Sequence, residues 1–122
     1  MAMKLGVVVL DSNNPEVLAS FYAELTGWTV KRPIDPTSPY IDLVNPDGGV
    51  QLGIQRVPEP KSGKNRAHFD FHVDDIDLEA RRAVSLGATR VKRFAEDDEG
   101  WIWMTDPEGN EFCFCNSCEC ST

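Results

Sequence analysis

Two hydrophobic periods take turns along this chain. Leu18, Phe21, Tyr22 and Leu25 fall at i, i+3, i+4 and i+7, the spacing of a helix that lays one apolar stripe on a sheet. Asn14 stands where a cap is needed, and Pro15 suits the first helical position because its missing N–H would be unpaired there anyway. Gly27 supplies a left-handed stop. A second stripe of Ile76, Ala80, Ala83 and Val84, stopped at Gly87, repeats the arrangement. Outside the helices the period falls to two. Each helix follows an apolar strand that ends in a hydrophobe and an aspartate, Leu10-Asp11 and then Val73-Asp74. After each helix come three short strands, about 28–32, 40–44 and 50–55 in the first half and about 89–94, 101–105 and 110–115 in the second. The turns before the last strands also match, "NPDGG" at 45–49 and "DPEGN" at 106–110, with Pro and Gly where a tight turn wants them.

The halves therefore say the same thing twice, and internal repetition of this length predicts architecture. The expected fold is α+β: a tandem pair of βαβββ modules, each a curved mixed sheet with one helix on its convex side, the two together enclosing a concave cleft. Module one covers about 4–55, a polar linker 56–66, module two about 67–115, and a cysteine-rich tail 116–122. All of this fits one domain of 122 residues.

Strand parity then says which side chains would face the cleft. In "RAHFDFHVDD", at 66–75, His68, Asp70 and His72 share one face, and Phe69, Phe71 and Val73 take the other. These are the only two histidines in the chain, and with a carboxylate between them they offer acid–base chemistry near neutral pH. "WIWM" separates Trp101 and Trp103 from Ile102 and Met104; "YIDLV" separates Tyr40, Asp42 and Val44 from Ile41 and Leu43. With Val50, Leu52 and Ile54 as the apolar set of the strand, Gln51 and Gln55 are left to face the cavity. Aromatic rings with a few placed polar groups make a small-molecule pocket. The alternative is that the tryptophans bury themselves in a dimer interface or at a sheet edge.

Charge narrows the partners. A formal net charge of −8 argues against nucleic acid and against an anionic membrane surface, both of which recruit Lys and Arg. No apolar run approaches the roughly 20 residues of a membrane span, and the opening "MAMKLGVVVL" reads as a strand rather than a signal peptide. The expected setting is cytoplasmic, with the four cysteines reduced. Those cysteines, 113, 115, 118 and 120, are spaced C-x-C-x2-C-x-C. They read either as buried structural cysteines plus a dispensable tail or as a thiolate metal or redox site.

"NNPEVLASFYAELTGW", "AHFDFHVDD" and "WIWMTDPEGNEFC" resemble the vicinal oxygen chelate superfamily, which includes glyoxalase I, bleomycin-resistance proteins and extradiol dioxygenases. The stretch "QRVPEPKSGKNRAHFDF" is similar to its glyoxalase-like domains. The resemblance implies metal ligands on the first and last strands of each module. His68, six residues before Asp74, takes such a position; its counterpart in module one is Leu5, and neither Leu5, Val7 nor Val9 can ligate. The position of a family glutamate, seven after Asp106, holds Cys113, with Glu111 two earlier on the same face.

The resemblance thus gives His68 and Glu111 as catalytic candidates and His68, Glu111 and Cys113 as candidate ligands for Zn²⁺, Ni²⁺, Fe²⁺ or Mn²⁺, although the expected state is a cleft without metal. Tyr40, Asp42, Gln51, Gln55, Asp70, His72, Trp101 and Trp103 are the candidate ligand-binding residues. The implied protein is a homodimer that holds a small organic molecule, either a lyase, isomerase or dioxygenase or a non-catalytic protein that sequesters a drug or metabolite. The negative charge and the aromatic residues suit a cationic or aromatic ligand.

Overall fold

The computed structural model describes residues 2–94 and 99–116. Within them the chain divides between Pro60 and Lys61 into two compact units, each a βαβββ module. The first contains β1 (Val7–Ser12), α1 (Pro15–Thr26), β2 (Thr29–Lys31), β3 (Tyr40–Val44) and β4 (Gln51–Arg56). The second contains β5 (Phe69–His72), α2 (Ile76–Ser85), β6 (Thr89–Arg93), β7 (Trp101–Thr105) and β8 (Glu111–Cys115). The sheet orders are β1-β4-β3-β2 and β5-β8-β7-β6. In each sheet the first and last strands run parallel and the other pairs antiparallel, so each module is a mixed sheet carrying one helix.

Local chemistry explains the helices. The Asn14 side chain accepts from the Val17 N–H, Pro15 opens the first turn, and Gly27 closes α1 at φ 75°, its N–H bonded to the Ala23 carbonyl. Leu18, Phe21, Tyr22 and Leu25 are all buried, and each contributes roughly 1.5–3 kcal/mol by leaving water. They meet Ile41, Leu43, Leu52 and Ile54, the buried face of β3 and β4. In the second unit Asp75 caps α2 by accepting from the Leu78 N–H. Ile76, Ala80 and Ala83 are buried, on a layer of Ile102, Met104, Phe112 and Phe114. Phe71 joins that layer, its ring 5.9 Å from Phe112 and 6.2 Å from Phe114.

Three expectations need correction. Val84 lies off the stripe at 47% exposure, because three small or medium residues already cover this short helix's contact with the sheet. Val50 precedes β4 and is exposed instead of sharing the apolar face of Leu52 and Ile54, since pairing with β1 begins at Gln51. Cys115 is disulfide-bonded rather than reduced. Cys118 and Cys120 lie outside the described residues.

The turn before β8 has a buried anchor. Asp106 is 3% exposed. Its Oδ1 accepts from the Glu108 N–H at 2.8 Å and the Asn110 N–H at 3.0 Å, and its Oδ2 from the Asn110 amide at 2.9 Å. Replacing it leaves these donors unpaired, and hydrogen bonds to a charged acceptor are worth about 1.5–3 kcal/mol. Asp106→Ala should therefore lower the urea midpoint by that equivalent with little change in slope; an unaltered midpoint would contradict this role.

Candidate functional site

Register in the second sheet sets out the site. β8 is central, paired with β5 on one side and β7 on the other. Cys113 stands directly between Asp70 on β5 and Trp103 on β7. Cys115 likewise stands between His72 and Trp101. Alternation sends Phe112 and Phe114 beneath α2 and leaves Glu111 and Cys113 on the opposite face, where Trp101 and Trp103 also emerge half-buried. That face carries an open cleft of ≈ 150 Å³ lined by Lys64, His68, Phe94, Trp101, Trp103, Glu111 and Cys113. All seven belong to the second unit.

One wall is aromatic. Phe94 and Trp101 stack at 5.2 Å with 9° between their planes. Lysines already attend the rings: Lys64 Nζ lies 5.7 Å from the Trp103 ring and Lys92 Nζ 4.9 Å from that of Phe94. The opposite wall is polar. His68 Nε2 lies 3.2 Å from Asp70 Oδ1, with the two side chains 33% and 25% exposed. Asp70 Oδ1 is buried and accepts no hydrogen bond, while the Asp70 carboxylate as a whole is hydrogen-bonded to the Cys113 thiol.

Cys113 is a free thiol, and its Sγ, a His68 ring nitrogen and an Asp70 oxygen all lie within 4.8 Å of one another. Burial first, and then the Asp70 carboxylate, push the thiol up to about 11, against a smaller opposing pull from Lys64. Cys113 is therefore a protonated thiol at neutral pH, not a ready nucleophile. Its alkylation by iodoacetamide, mapped by peptide mass, should keep accelerating beyond pH 9 in the folded chain. At pH 8 it should run about 100-fold slower than in urea, because burial leaves far less of the thiol ionised. Equal rates in the two states would contradict the burial argument.

Of the catalytic candidates, both His68 and Glu111 line the cleft, but they are differently engaged. Glu111, 11% exposed, accepts from the Asn65 N–H at 2.7 Å and lies 3.8 Å from Lys64 Nζ, so its carboxylate ties the segment before β5 to the rim. Trp101 and Trp103 line the cleft, and Asp70 stands immediately behind it. His72 is on the same strand but exposed and is not among the lining residues. The candidates from the first unit sit on the helix-free face of their own sheet. Tyr40 is exposed, and Gln51 spends its amide on the neighbouring turn, accepting from the Asn45 N–H and donating to the Gly49 carbonyl. Asp42 is exposed and Gln55 half-buried. Around Gly53 a side chain would press on Val7, Val9 and Asp42.

Sequence reasoning missed Lys64 and Phe94. Lys64 lay in a stretch read as a polar linker, and Phe94 at a strand end where parity no longer fixes direction. Asp70 was singled out for ligand contact but not for metal.

The donor set of imidazole, carboxylate and thiol suits a divalent metal of the zinc type, and the unpaired Asp70 oxygen supports that fit. Among the described residues no helix is long and apolar enough to cross a membrane.

A family model described as glyoxalase-like domain matches residues 7–115. A comparison with curated proteins finds no match. Solved structures share the fold. A glyoxalase/bleomycin resistance protein/dioxygenase family enzyme from Burkholderia phytofirmans PsJN is 22% identical, with TM-score 0.76 over 93% of this chain and 98% of its own. The oxidase ChaP-H2 is 20% identical, with TM-score 0.71 over 96% and 95%. An E126Q mutant of the fosfomycin resistance protein FosX from Listeria monocytogenes, complexed with Mn(II) and 1S,2S-dihydroxypropylphosphonic acid, is 14% identical, with TM-score 0.76 over 98% and 94%.

Proposed function

The chain belongs to the family of glyoxalase-like domains, and from that membership and the cleft geometry we propose that its second module binds a small organic molecule carrying a flat, unsaturated group. The observation that carries the reading is the seven-residue cleft, aromatic on one side and polar on the other. Its volume of ≈ 150 Å³ is below the roughly 300 Å³ where drug-sized pockets begin and equals that of an engineered cavity that takes up benzene. It thus suits one ring or its equivalent. Trp101, Trp103 and Phe94 would pack against the ring, and His68 would hold or exchange a proton with its polar substituent.

Cation recognition is disfavoured despite the acidic composition. Lys64 already stands over Trp103 and Lys92 over Phe94, so a cationic ligand would have to displace a side chain that supplies the same interaction. A neutral or anionic ring meets no such competitor.

His68, Asp70 and Cys113 are the residues that would hold a divalent metal, which when bound would supply a Lewis acid at the cleft wall. FosX, complexed with Mn(II) in its crystal, shares this fold and supports the idea of a metal-using relative. A second reading, sequestration without turnover, is favoured by Glu111. Its carboxylate is committed to the Asn65 N–H, which leaves His68 as the main acid–base group of the lining.

Tryptophan emission of the full-length chain tests binding, using phenol, benzoate and trimethylanilinium as probes. Phenol or benzoate should quench with saturation, and Trp103→Ala should remove most of that response while Trp28 continues to emit. Trimethylanilinium should bind more weakly than either, and Lys64→Ala should narrow the gap. Non-saturable quenching by all three, unaltered in Trp103→Ala, would sink the proposal.

A further inference from the structure

We propose that the ring held by the cleft carries an anionic substituent, an aryl carboxylate being the simplest case, that Lys64 is the residue that selects it, and that Glu111 sets Lys64 in place. The inference deepens the reading of the cleft as a small-molecule site and rests on it.

Lys64 belongs to the stretch 61–68, which has no helix or strand of its own. Such a segment goes where its few bonds take it, and here they lead to one residue. The Glu111 carboxylate accepts from the Asn65 N–H at 2.7 Å, and the Glu111 carbonyl accepts from the Asn65 side-chain amide at 3.3 Å. Glu111 is itself fixed at the start of β8 by its pairing with Thr105, and its side chain is nearly buried. The residue before Asn65 is thereby carried over the cleft, its Nζ 5.7 Å from the centre of the Trp103 ring. Glu111 thus acts on a ligand through Lys64, as a positioning residue.

The Lys64 ammonium reaches the cleft with donors to spare. The carboxylate oxygen beside it, Glu111 Oε2, is 3.8 Å away, beyond hydrogen-bond length, and an ammonium carries three donors. A ring lying against Trp101 and Trp103 with an oxyanion turned to the rim would meet this ammonium in a charge-assisted hydrogen bond. A neutral ring would leave the donors to water, and a cationic ring would face a like charge. Lys64 is 72% exposed, so its pull is that of a charge screened by solvent and salt.

Benzoate and benzamide, flat rings of nearly one shape that differ in charge, make the test when titrated against the tryptophan emission of the full-length chain. Benzoate should bind about fivefold more tightly at low salt, the upper range for an exposed charge pair, and the preference should shrink as salt rises to about 0.5 M. Lys64→Gln should bring the two within about twofold of each other, and Lys64→Arg should keep the preference. Glu111 gives the sharper contrast. Loss of its charge would favour benzoate, whereas loss of its anchor releases Lys64. Glu111→Ala should therefore lose the preference, while Glu111→Gln, which still offers Asn65 an acceptor, should keep or exceed it. A preference that survives Lys64→Gln, or that rises in Glu111→Ala, overturns the inference. Should Glu111→Ala fail to fold, Lys64→Gln, a change at an exposed side chain, decides alone. Saturable but equal binding of both probes to the unsubstituted chain overturns the inference and leaves the cleft reading standing. Saturation by neither removes the two together.

Discussion

Pairing of β8 with strands on both its edges is the constraint from which the rest follows. A central strand cannot slip by one residue without turning every side chain to the other face. Here a slip would bring Glu111, Cys113 and Cys115 under α2 and turn Phe112 and Phe114 outward. The aromatic layer against Ile76, Ala80 and Ala83 forbids that, because Phe112 and Phe114 are almost wholly buried. The packing of two phenylalanines on one face thus determines the chemistry of the other. Cys113 lies between Asp70 and Trp103 because its neighbours in sequence are core residues.

The polar wall and the thiol depend on the same burial. Taking Cys113 partly out of water and placing it beside Asp70 keeps its proton on, which removes it from ordinary nucleophilic chemistry. The same geometry leaves Asp70 Oδ1 without a donor. One residue pair therefore accounts both for a quiet thiol and for an unfilled acceptor.

Most of the fold was legible because amphipathic periods, caps and turns act locally. Asn14, Pro15, Gly27 and the two proline–glycine turns do in space what their residue types require. Parity worked equally well for Ile41, Leu43, Ile102 and Met104, where one face of a strand is strictly apolar. It failed where no such alternation exists. Lys64 and Asn65 sit in an irregular segment, and only the Glu111 carboxylate and the Trp103 ring explain why that segment meets the cleft. Val84 shows a related weakness: a helical stripe says which side is apolar but not how wide the sheet's contact will be. Gln51 shows another, since lying on the helix-free face of its strand did not stop its amide from bonding the adjacent turn.

Proton–proton contacts in isotope-labelled protein test the central register most directly. Nuclear Overhauser effects from the Cys113 β-protons should reach the Trp103 ring and the Asp70 β-protons, while those of Phe112 and Phe114 reach Ile76 and Ala80. Cross-peaks joining Cys113 to Ile76 or Ala80 instead, with Phe112 next to the indole of Trp103, would contradict the account.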